Sequence, residues 1–148
     1  MHNIQEVGAG QLEEVLTFVN NNWIELSKRP QAKPEERELS YWKENLRSQR
    51  VLIFRRDDGE IQGLLTFSRK GNELWLNHFL VHPSCRGQGI GFKLLQMVER
   101  FAQAWEAKRI ILEGREDQAE YLPYFERRGY VFHCPVLEKG HITVEKRL

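Results

Sequence analysis

One stretch near the middle of the chain, residues 74–97, narrows the possible folds more than any other. It reads LWLNHFLVHPSCRGQGIGFKLLQM, an apolar run as far as Val81 followed by Pro83 and a glycine-rich segment. Proline has no backbone N–H to donate to a central sheet ladder, so the strand is expected to end before Pro83. Apolar residues then recur at helical spacing over residues 92–101. The stretch therefore predicts a strand, a tight turn and a helix, in that order.

The turn has the composition of an anion-binding site. Gly87, Gly89 and Gly91 carry no Cβ, so the backbone there can approach a ligand closely. The N–H groups of the turn and the positive end of the helix dipole would converge on one spot, which suits a phosphate. The segment lacks the Gly-Lys-Ser/Thr ending of a mononucleotide P-loop, and its glycines do not have the dinucleotide G-x-G-x-x-G spacing. A different phosphate-bearing ligand is expected.

Two segments resemble motifs of the GNAT superfamily of acetyl-CoA-dependent N-acyltransferases. The family's acetyl-CoA motif reads Arg/Gln-x-x-Gly-x-Gly/Ala after an apolar strand that ends Val-x-Pro, and here Arg86, Gly89 and Gly91 supply it. Near the end of the chain, residues 123–130 read PYFERRGY. This segment is similar to the family's helix-to-strand pattern, Phe-Tyr-Glu-Lys/Arg-x-Gly-Phe.

Apolar periodicity and turn residues predict the remaining elements. Strands are expected at residues 3–7, 51–54, 61–67, 74–81, 109–112, 130–136 and 141–144, and helices at residues 12–23, 35–46, 91–108 and 119–128. The order β-α-α-β-β-β-α-β-α-β-β resembles the GNAT fold, an α/β (α+β) architecture with one mixed, twisted sheet flanked by helices. The 148 residues are expected to form a single GNAT-like domain, 1–148.

Composition excludes several classes of function. The 22 basic and 21 acidic residues give a net charge of +1 without a basic block, which argues against nucleic-acid binding. No apolar run has transmembrane length, and the N-terminus does not read as a signal peptide, so no membrane association is expected. Cys85 and Cys134 are interpreted as free thiols, which suits a cytoplasmic protein. The sequence is compatible with a homodimer.

The resemblance implies which residues bind acetyl-CoA. In the family, a bulge splays the central strand near its end, exposed backbone groups there bind the pantetheine arm, and one N–H polarises the thioester carbonyl. The corresponding positions are Phe79, Leu80 and Val81. The pyrophosphate is expected on the backbone of Arg86, Gly87, Gln88, Gly89, Ile90, Gly91 and Phe92.

His78 is the candidate base for the incoming amine. It is the imidazole of an otherwise apolar strand, and imidazoles titrate near neutral pH. The alternative is a histidine that is only hydrogen-bonded within the sheet. Glu25, Glu73 and Glu113 are further candidates, although each also reads as a surface or strand-end charge. No metal is expected, because His133, Cys134 and His141 lack a ligand spacing.

The general acid departs from the family pattern. The family's tyrosine usually lies four residues before the glycine, and here that position is Phe125, with Tyr124 directly before it. We predict Tyr124 as the acid that protonates the leaving thiolate. Tyr121, one helical turn before Phe125, and solvent remain alternatives.

The region before residue 47 is expected to bind the acceptor. Trp23, Glu25 and Trp42 are the predicted lining residues, although tryptophans at helical spacing also fit a core. The resemblance implies direct transfer of an acetyl group to a primary amine, with small molecules the expected acceptors. The rival interpretation is a catalytically idle GNAT-like module that binds acyl-CoA as a sensor, which the Tyr-Phe inversion favours.

Overall fold

Seven strands form one mixed sheet in the computed structural model, which describes residues 3–28, 32–115, 122–133 and 141–148. The strands lie in the order β1-β2-β3-β4-β5-β7-β6, and β4–β5 is the parallel pair among them. Their bounds are β1 Ile4–Glu6, β2 Arg50–Arg55, β3 Ile61–Lys70, β4 Glu73–Val81, β5 Arg109–Arg115, β6 Val131–His133 and β7 His141–Arg147. The predicted fold class and element order are confirmed.

Helices flank the sheet on both faces. The α-helices are α1 Leu12–Asn21, α2 Trp23–Leu26, α3 Leu39–Asn45, α4 Ile90–Ala104 and α5 Leu122–Glu126, and short 3₁₀ turns span Ala9–Gln11, Pro34–Arg37 and Pro83–Cys85. None of the helices in the described part of the chain is long and apolar enough to cross a membrane.

The two helices predicted before β2 are each divided. Residues 12–23 do not form one helix, because the Asn22 side chain donates to the Phe18 carbonyl at 2.9 Å and its backbone leaves helical geometry between α1 and α2. Residues 35–46 begin as the Pro34–Arg37 turn, and the extended backbone of Glu38 separates that turn from α3. The segment before β2, which the sequence predicts to bind the acceptor, is therefore made of short pieces.

Other boundaries differ at element ends. Helix α4 ends at Ala104, four residues before the predicted end. Glu106 then adopts a φ of +58°, a left-handed conformation that a right-handed helix cannot contain. Strands β3, β5 and β7 run beyond their predicted ends. The predicted positions 119–121 and 134–136 lie outside the described residues.

Each face of the sheet carries its own apolar core. One core lies under α4 and α5 and includes Phe67, Leu94 and Phe125. The other lies under α1 and α3 and includes Val15 and Trp42. Both faces of the central strands are therefore buried, which explains why β2 and β3 read as almost continuous apolar runs.

A bulge in β4 changes which face its side chains meet. Thr66 pairs with His78 while the next residue of β3, Phe67, pairs with Leu76, so Asn77 is an extra residue on β4. Leu76 lies in the α4 core, and without the bulge His78 would share that face. The bulge instead moves His78 to the face that α3 covers, where its ring lies against Trp42.

Beyond the bulge, β4 separates from β5. The parallel pairing ends where Leu76 meets Leu112, although β5 continues alongside β7 as far as Arg115. Residues 78–81 therefore have no β5 partner in the described parts of the chain. The structure thus contains the splayed central strand that the sequence resemblance implies, and its open backbone points towards the gap between β4 and β5.

Candidate functional site

The glycine turn between β4 and α4 requires glycine at two positions. Gly87 and Gly89 have φ values of +84° and +79°, and Gly89 is the N-cap of α4. Side-chain-bearing residues are strained in this left-handed region. A Cβ built on either residue would meet no protein atom within 4 Å. The turn is therefore an open surface at the N-terminus of a 15-residue helix, a favourable place for an anion.

Gly91 serves a different purpose, since it lets Tyr124 approach α4. A Cβ at Gly91 would lie 2.8 Å from the Tyr124 hydroxyl oxygen, 3.4 Å from Phe79 Cζ and 3.4 Å from Val81 Cγ2. The missing side chain therefore lets the first turn of α4, the splayed end of β4 and helix α5 meet. Tyr124 arrives there from α5, about thirty residues further along the chain.

The Tyr124 hydroxyl is buried and has no hydrogen-bond partner among the described residues. Burial raises the pKa of Tyr124 above its ordinary value of 10.0, and the Arg128 guanidinium, 3.8 Å from the ring centroid, opposes the rise. The phenol is therefore neutral at physiological pH and holds a proton. A buried polar group without a partner is costly, so the site is one that a ligand atom would complete.

The residue at the family's usual acid position faces elsewhere. Phe125 is buried in the core under α4, with its ring 5.9 Å from that of Phe79 and 5.3 Å from that of Tyr130. Tyr124 lies about 100° away around the helix and reaches Gly91 instead. Tyr121 lies outside the described residues.

These features fit acetyl-CoA. The open glycine turn offers backbone N–H groups to a pyrophosphate, and the unpaired edge at residues 78–81 offers backbone groups to a pantetheine arm. The Tyr124 hydroxyl lies between them with a proton and with no hydrogen-bond partner in the described part of the chain. The predicted cofactor-binding residues thus line one continuous path from Arg86 and Phe92 to Phe79, with Leu80 directed to the opposite core.

His78 is buried on the other face of β4. Its side chain is 1% exposed, its Nδ1 lies 2.5 Å from Thr66 Oγ1, and its Nε2 lies 3.2 Å from Glu36 Oε1. Trp42 fixes this arrangement, because its Nε1 donates to the Glu36 carbonyl at 2.8 Å and its ring lies 5.0 Å from the imidazole. Thr66, His78 and Glu36 therefore form a chain of polar groups inside the core.

Sequence reasoning did not identify Glu36 or Arg128. Glu36 precedes an apolar helix in an acidic segment that reads as a solvated surface, yet it is 2% exposed. Arg128 belongs to a charged pair at the end of a helix, yet it stacks on both Tyr124 and Phe92. The capping geometry at Pro34, with an acid two residues later, is the one signal that could have indicated Glu36.

The three predicted acceptor residues separate in the structure. The sequence predicts Trp42 as a residue that lines an acceptor pocket. In the structure its side chain is 0% exposed within the core, so it does not line a surface pocket. Trp23 is half-buried on α2, with the Arg37 guanidinium 5.5 Å from its ring. Glu25, also on α2, lies 3.6 Å from Arg86 of the glycine turn. Glu25 therefore lies beside the predicted cofactor path, whereas the contact that places Trp23 is with Arg37.

The remaining candidates have structural partners. His82 Nδ1 accepts from the Ser84 N–H at 3.1 Å and so caps the Pro83–Cys85 turn. Glu73 forms an ion pair with Arg109 across β4 and β5, away from the splayed end. Cys85 is a buried free thiol. Within the described residues no group of three potential metal ligands occurs, and Cys134 lies outside them.

Comparison with known proteins identifies related sequences. The model of the acetyltransferase (GNAT) family matches residues 17–130. A spermine/spermidine N(1)-acetyltransferase of Bacillus subtilis (strain 168) is 26% identical over 80 residues, which is 53% of this chain and 53% of the relative. A probable spermine N(1)-acetyltransferase of Bacillus subtilis subsp. natto (strain BEST195) matches to the same extent. The match thus spans about half the length of these curated relatives.

Solved structures share the fold along nearly the whole chain. An acetyltransferase of the GNAT family from Staphylococcus aureus Mu50 has a TM-score of 0.79 at 18% identity, covering 99% of this chain and 98% of that chain. The PaiA N-acetyltransferase from Thermoplasma acidophilum, solved in complex with coenzyme A, has a TM-score of 0.75 at 14% identity, covering 98% and 99%. At these identities the likeness concerns the fold.

Proposed function

Because this chain belongs to the acetyltransferase (GNAT) family, we propose that it transfers an acetyl group from acetyl-CoA directly to a primary amine. The observation that carries the proposal is the buried Tyr124 hydroxyl, which has no partner in the described residues and lies between the glycine turn and the open edge of β4. Acetyl-CoA supplies the acyl group as a thioester.

Backbone groups would bind most of the acetyl-CoA molecule. The N–H groups of residues 86–92 would hold the pyrophosphate, helped by the dipole of α4. The unpaired edge at Phe79, Leu80 and Val81 would hold the pantetheine arm and direct one N–H at the thioester carbonyl. Since these contacts use the main chain, glycine conformation and strand geometry matter more than side-chain identity.

Tyr124 would protonate the leaving thiolate. Its raised pKa keeps the hydroxyl protonated until the thiolate leaves. The Arg128 guanidinium over its ring would then stabilise the phenolate that remains. This role would remove the feature that favours the rival interpretation, an idle acyl-CoA-binding module, which is phenylalanine at position 125. A donor is available one residue earlier.

His78 would receive the proton of the incoming ammonium at Nδ1, relayed by a water and by the Thr66 hydroxyl that bonds this nitrogen. Its burial prevents direct access to a bulky acceptor, and the Glu36 carboxylate at 3.2 Å would stabilise the imidazolium that forms. The bulge at Asn77 supports this role, because it places His78 on the face opposite to that of Phe79 and Val81, beneath the acceptor-side helices. Base and acid would then act from opposite faces of β4.

The acceptor would be a small cationic amine. The curated relatives are named as spermine or spermidine acetyltransferases, which supports a polyamine. Glu25 carries a carboxylate beside the glycine turn, where it pairs with Arg86 at 3.6 Å. We propose that a bound pyrophosphate draws Arg86 away and that Glu25 then holds a distal ammonium of the acceptor.

Release of free thiol from acetyl-CoA tests this function. The wild-type protein is assayed with spermidine, spermine, and monoamines of matched length, and acetylated product is identified by mass spectrometry. We expect amine-dependent thiol release that is fastest with polyamines, and Glu25→Gln is expected to raise the KM for polyamines more than for monoamines. Binding of acetyl-CoA without thiol release for any amine would contradict the proposed activity.

A further inference from the structure

A cavity of about 450 Å³ opens at the end of the sheet away from the glycine turn. Trp105 lines it directly after the last residue of α4, whereas Gly89 caps the first. Fifteen helical residues separate these ends by about 22 Å, at 1.5 Å per residue. The cavity is therefore separate from the glycine turn. The residues that line the cavity include Arg47, Gln49, Arg50, Phe67, Arg69 and Trp105.

The charge around this cavity is positive. Three of its lining residues are arginines, and Glu6 is the one acid among the described lining residues, where it pairs with Arg50 at 3.3 Å. Arg50 and Arg69 also lie 5.4 Å and 5.8 Å from the Trp105 ring, which holds both guanidiniums at the wall. The Arg47 guanidinium makes no ion pair with any described residue. A cationic surface thus lines the mouth.

A polar group without a partner lies at the inner end. Gln49 is 7% exposed, and its Oε1 accepts from Asn77 Nδ2 at 3.0 Å. Its Nε2 is buried and has no hydrogen-bond partner among the described residues. An amide N–H in this state costs stability unless an acceptor reaches it. Because Gln49 is one of the residues that line the cavity, an oxygen of a bound ligand could complete this group.

We propose that this cavity is a binding site for a small organic anion, either a carboxylate or a phosphate ester. Guanidinium groups recognise both through paired, charge-assisted hydrogen bonds, and Arg47 is available for this contact. The unpartnered Gln49 amide would donate to an oxygen of the ligand at the inner wall. Trp105 provides an apolar surface for the carbon skeleton, and the volume lies within the range of small-molecule sites.

Calorimetric titration of the full chain tests the site. The probes are citrate for the carboxylate class, glucose 6-phosphate for the phosphate-ester class, and glycerol as a neutral molecule. Coenzyme A is present at saturation so that the glycine turn is occupied. We expect one of the two anions to bind with a dissociation constant in the millimolar range or tighter, and glycerol not to bind. If neither anion binds at millimolar concentration, the proposal is overturned.

Two variants assign binding to the cavity. Arg47→Ala and Gln49→Leu are each expected to lower the affinity for the anion about tenfold or more, because each removes a hydrogen bond to a charged group. Arg47 is exposed, so its variant should remain folded, which circular dichroism verifies. Arg86→Ala removes the same charge at the glycine turn and is expected to leave affinity unchanged. If Arg86→Ala lowers the affinity for the anion and Arg47→Ala does not, the anion does not bind in this cavity.

Discussion

At the scale of single residues, the environment of a side chain decides its role more than its position in a motif. Tyr124 and Phe125 are neighbours in sequence. The Tyr124 hydroxyl lies against the backbone of Gly91, whereas the Phe125 ring is enclosed in the core. The difference arises from the rotation of about 100° between successive helical residues. The inverted Tyr-Phe order is therefore compatible with a catalytic tyrosine.

Replacing Tyr124 with phenylalanine should lower turnover by about 10²-fold, the lower end of what general acid catalysis contributes. The affinity for coenzyme A should hardly change, since the backbone provides most of the contacts. Steady-state kinetics and calorimetry measure the two quantities. Adding Phe125→Tyr should not restore activity, because that side chain points into the core. Full activity of Tyr124→Phe would remove Tyr124 from the mechanism.

The raised pKa of Tyr124 predicts the alkaline side of the pH profile. A general acid is active while protonated, and burial moves its ionisation to a pH above the ordinary tyrosine value of 10.0. Wild-type kcat should therefore show no decline from loss of this proton as pH rises to 9. Rate measurements from pH 7 to 10, on enzyme that remains folded by circular dichroism, provide the test. A decline with a midpoint near 9, lost in Tyr124→Phe, would contradict the assignment.

His78 predicts the acidic side of the profile. If it receives the amine proton, the rate at subsaturating amine should rise with pH as the base loses its own proton. His78→Gln keeps a polar group of similar size next to Glu36 and Thr66, and it should abolish this rise while leaving coenzyme A affinity near that of the wild type. An unchanged profile would leave His78 with a structural role only.

At the scale of elements, close packing of α4 on the sheet sets the position of the glycine turn. A Cβ at Gly63 of β3 would lie 3.0 Å from both Ile90 Cγ2 and Leu94 Cδ1, so this glycine marks a close backbone approach rather than a weak point in the strand. The first turn of α4 is held against β3 at this contact. Displacement of α4 would move the N–H groups of the turn.

Gly63→Val should therefore destabilise the protein by about 1–3 kcal/mol, the typical cost of overpacking. It should also weaken coenzyme A binding, because α4 is pushed away from the sheet. Urea unfolding and calorimetry measure the two effects. Gly10→Val is the matched control, since a Cβ at Gly10 would meet nothing within 4 Å. Equal stability of Gly63→Val and the wild type would show that α4 is not fixed by this contact.

At the scale of the whole molecule, the order of elements followed from local sequence, while the contacts between distant elements did not. Proline, glycine and apolar spacing correctly predicted the strand, turn and helix around Pro83, because each signal acts on neighbouring residues. The division of residues 12–23 was missed, since it depends on how the Asn22 side chain bonds. The burial of Glu36 was missed because its partner His78 lies 42 residues later.

The bulge at Asn77 shows the same limit. The family resemblance implied a splayed strand, but the sequence of β4 reads as an apolar run and does not reveal where the extra residue lies. That residue decides whether His78 faces α4 or α3. Register is a property of the paired strands, so no reading of one strand alone could determine it.

The central claim is that the glycine turn and the open edge of β4 bind acetyl-CoA, and one calorimetric comparison tests it most directly. Gly89→Val and Gly59→Val introduce the same side chain at left-handed glycines, φ +79° and +96°, where an added Cβ meets no protein atom within 4 Å. The two substitutions carry similar backbone strain, but only Gly89 lies at the turn. We predict that Gly89→Val abolishes coenzyme A binding and that Gly59→Val, on the β2–β3 hairpin, retains it. Wild-type affinity in a folded Gly89→Val variant would contradict the account.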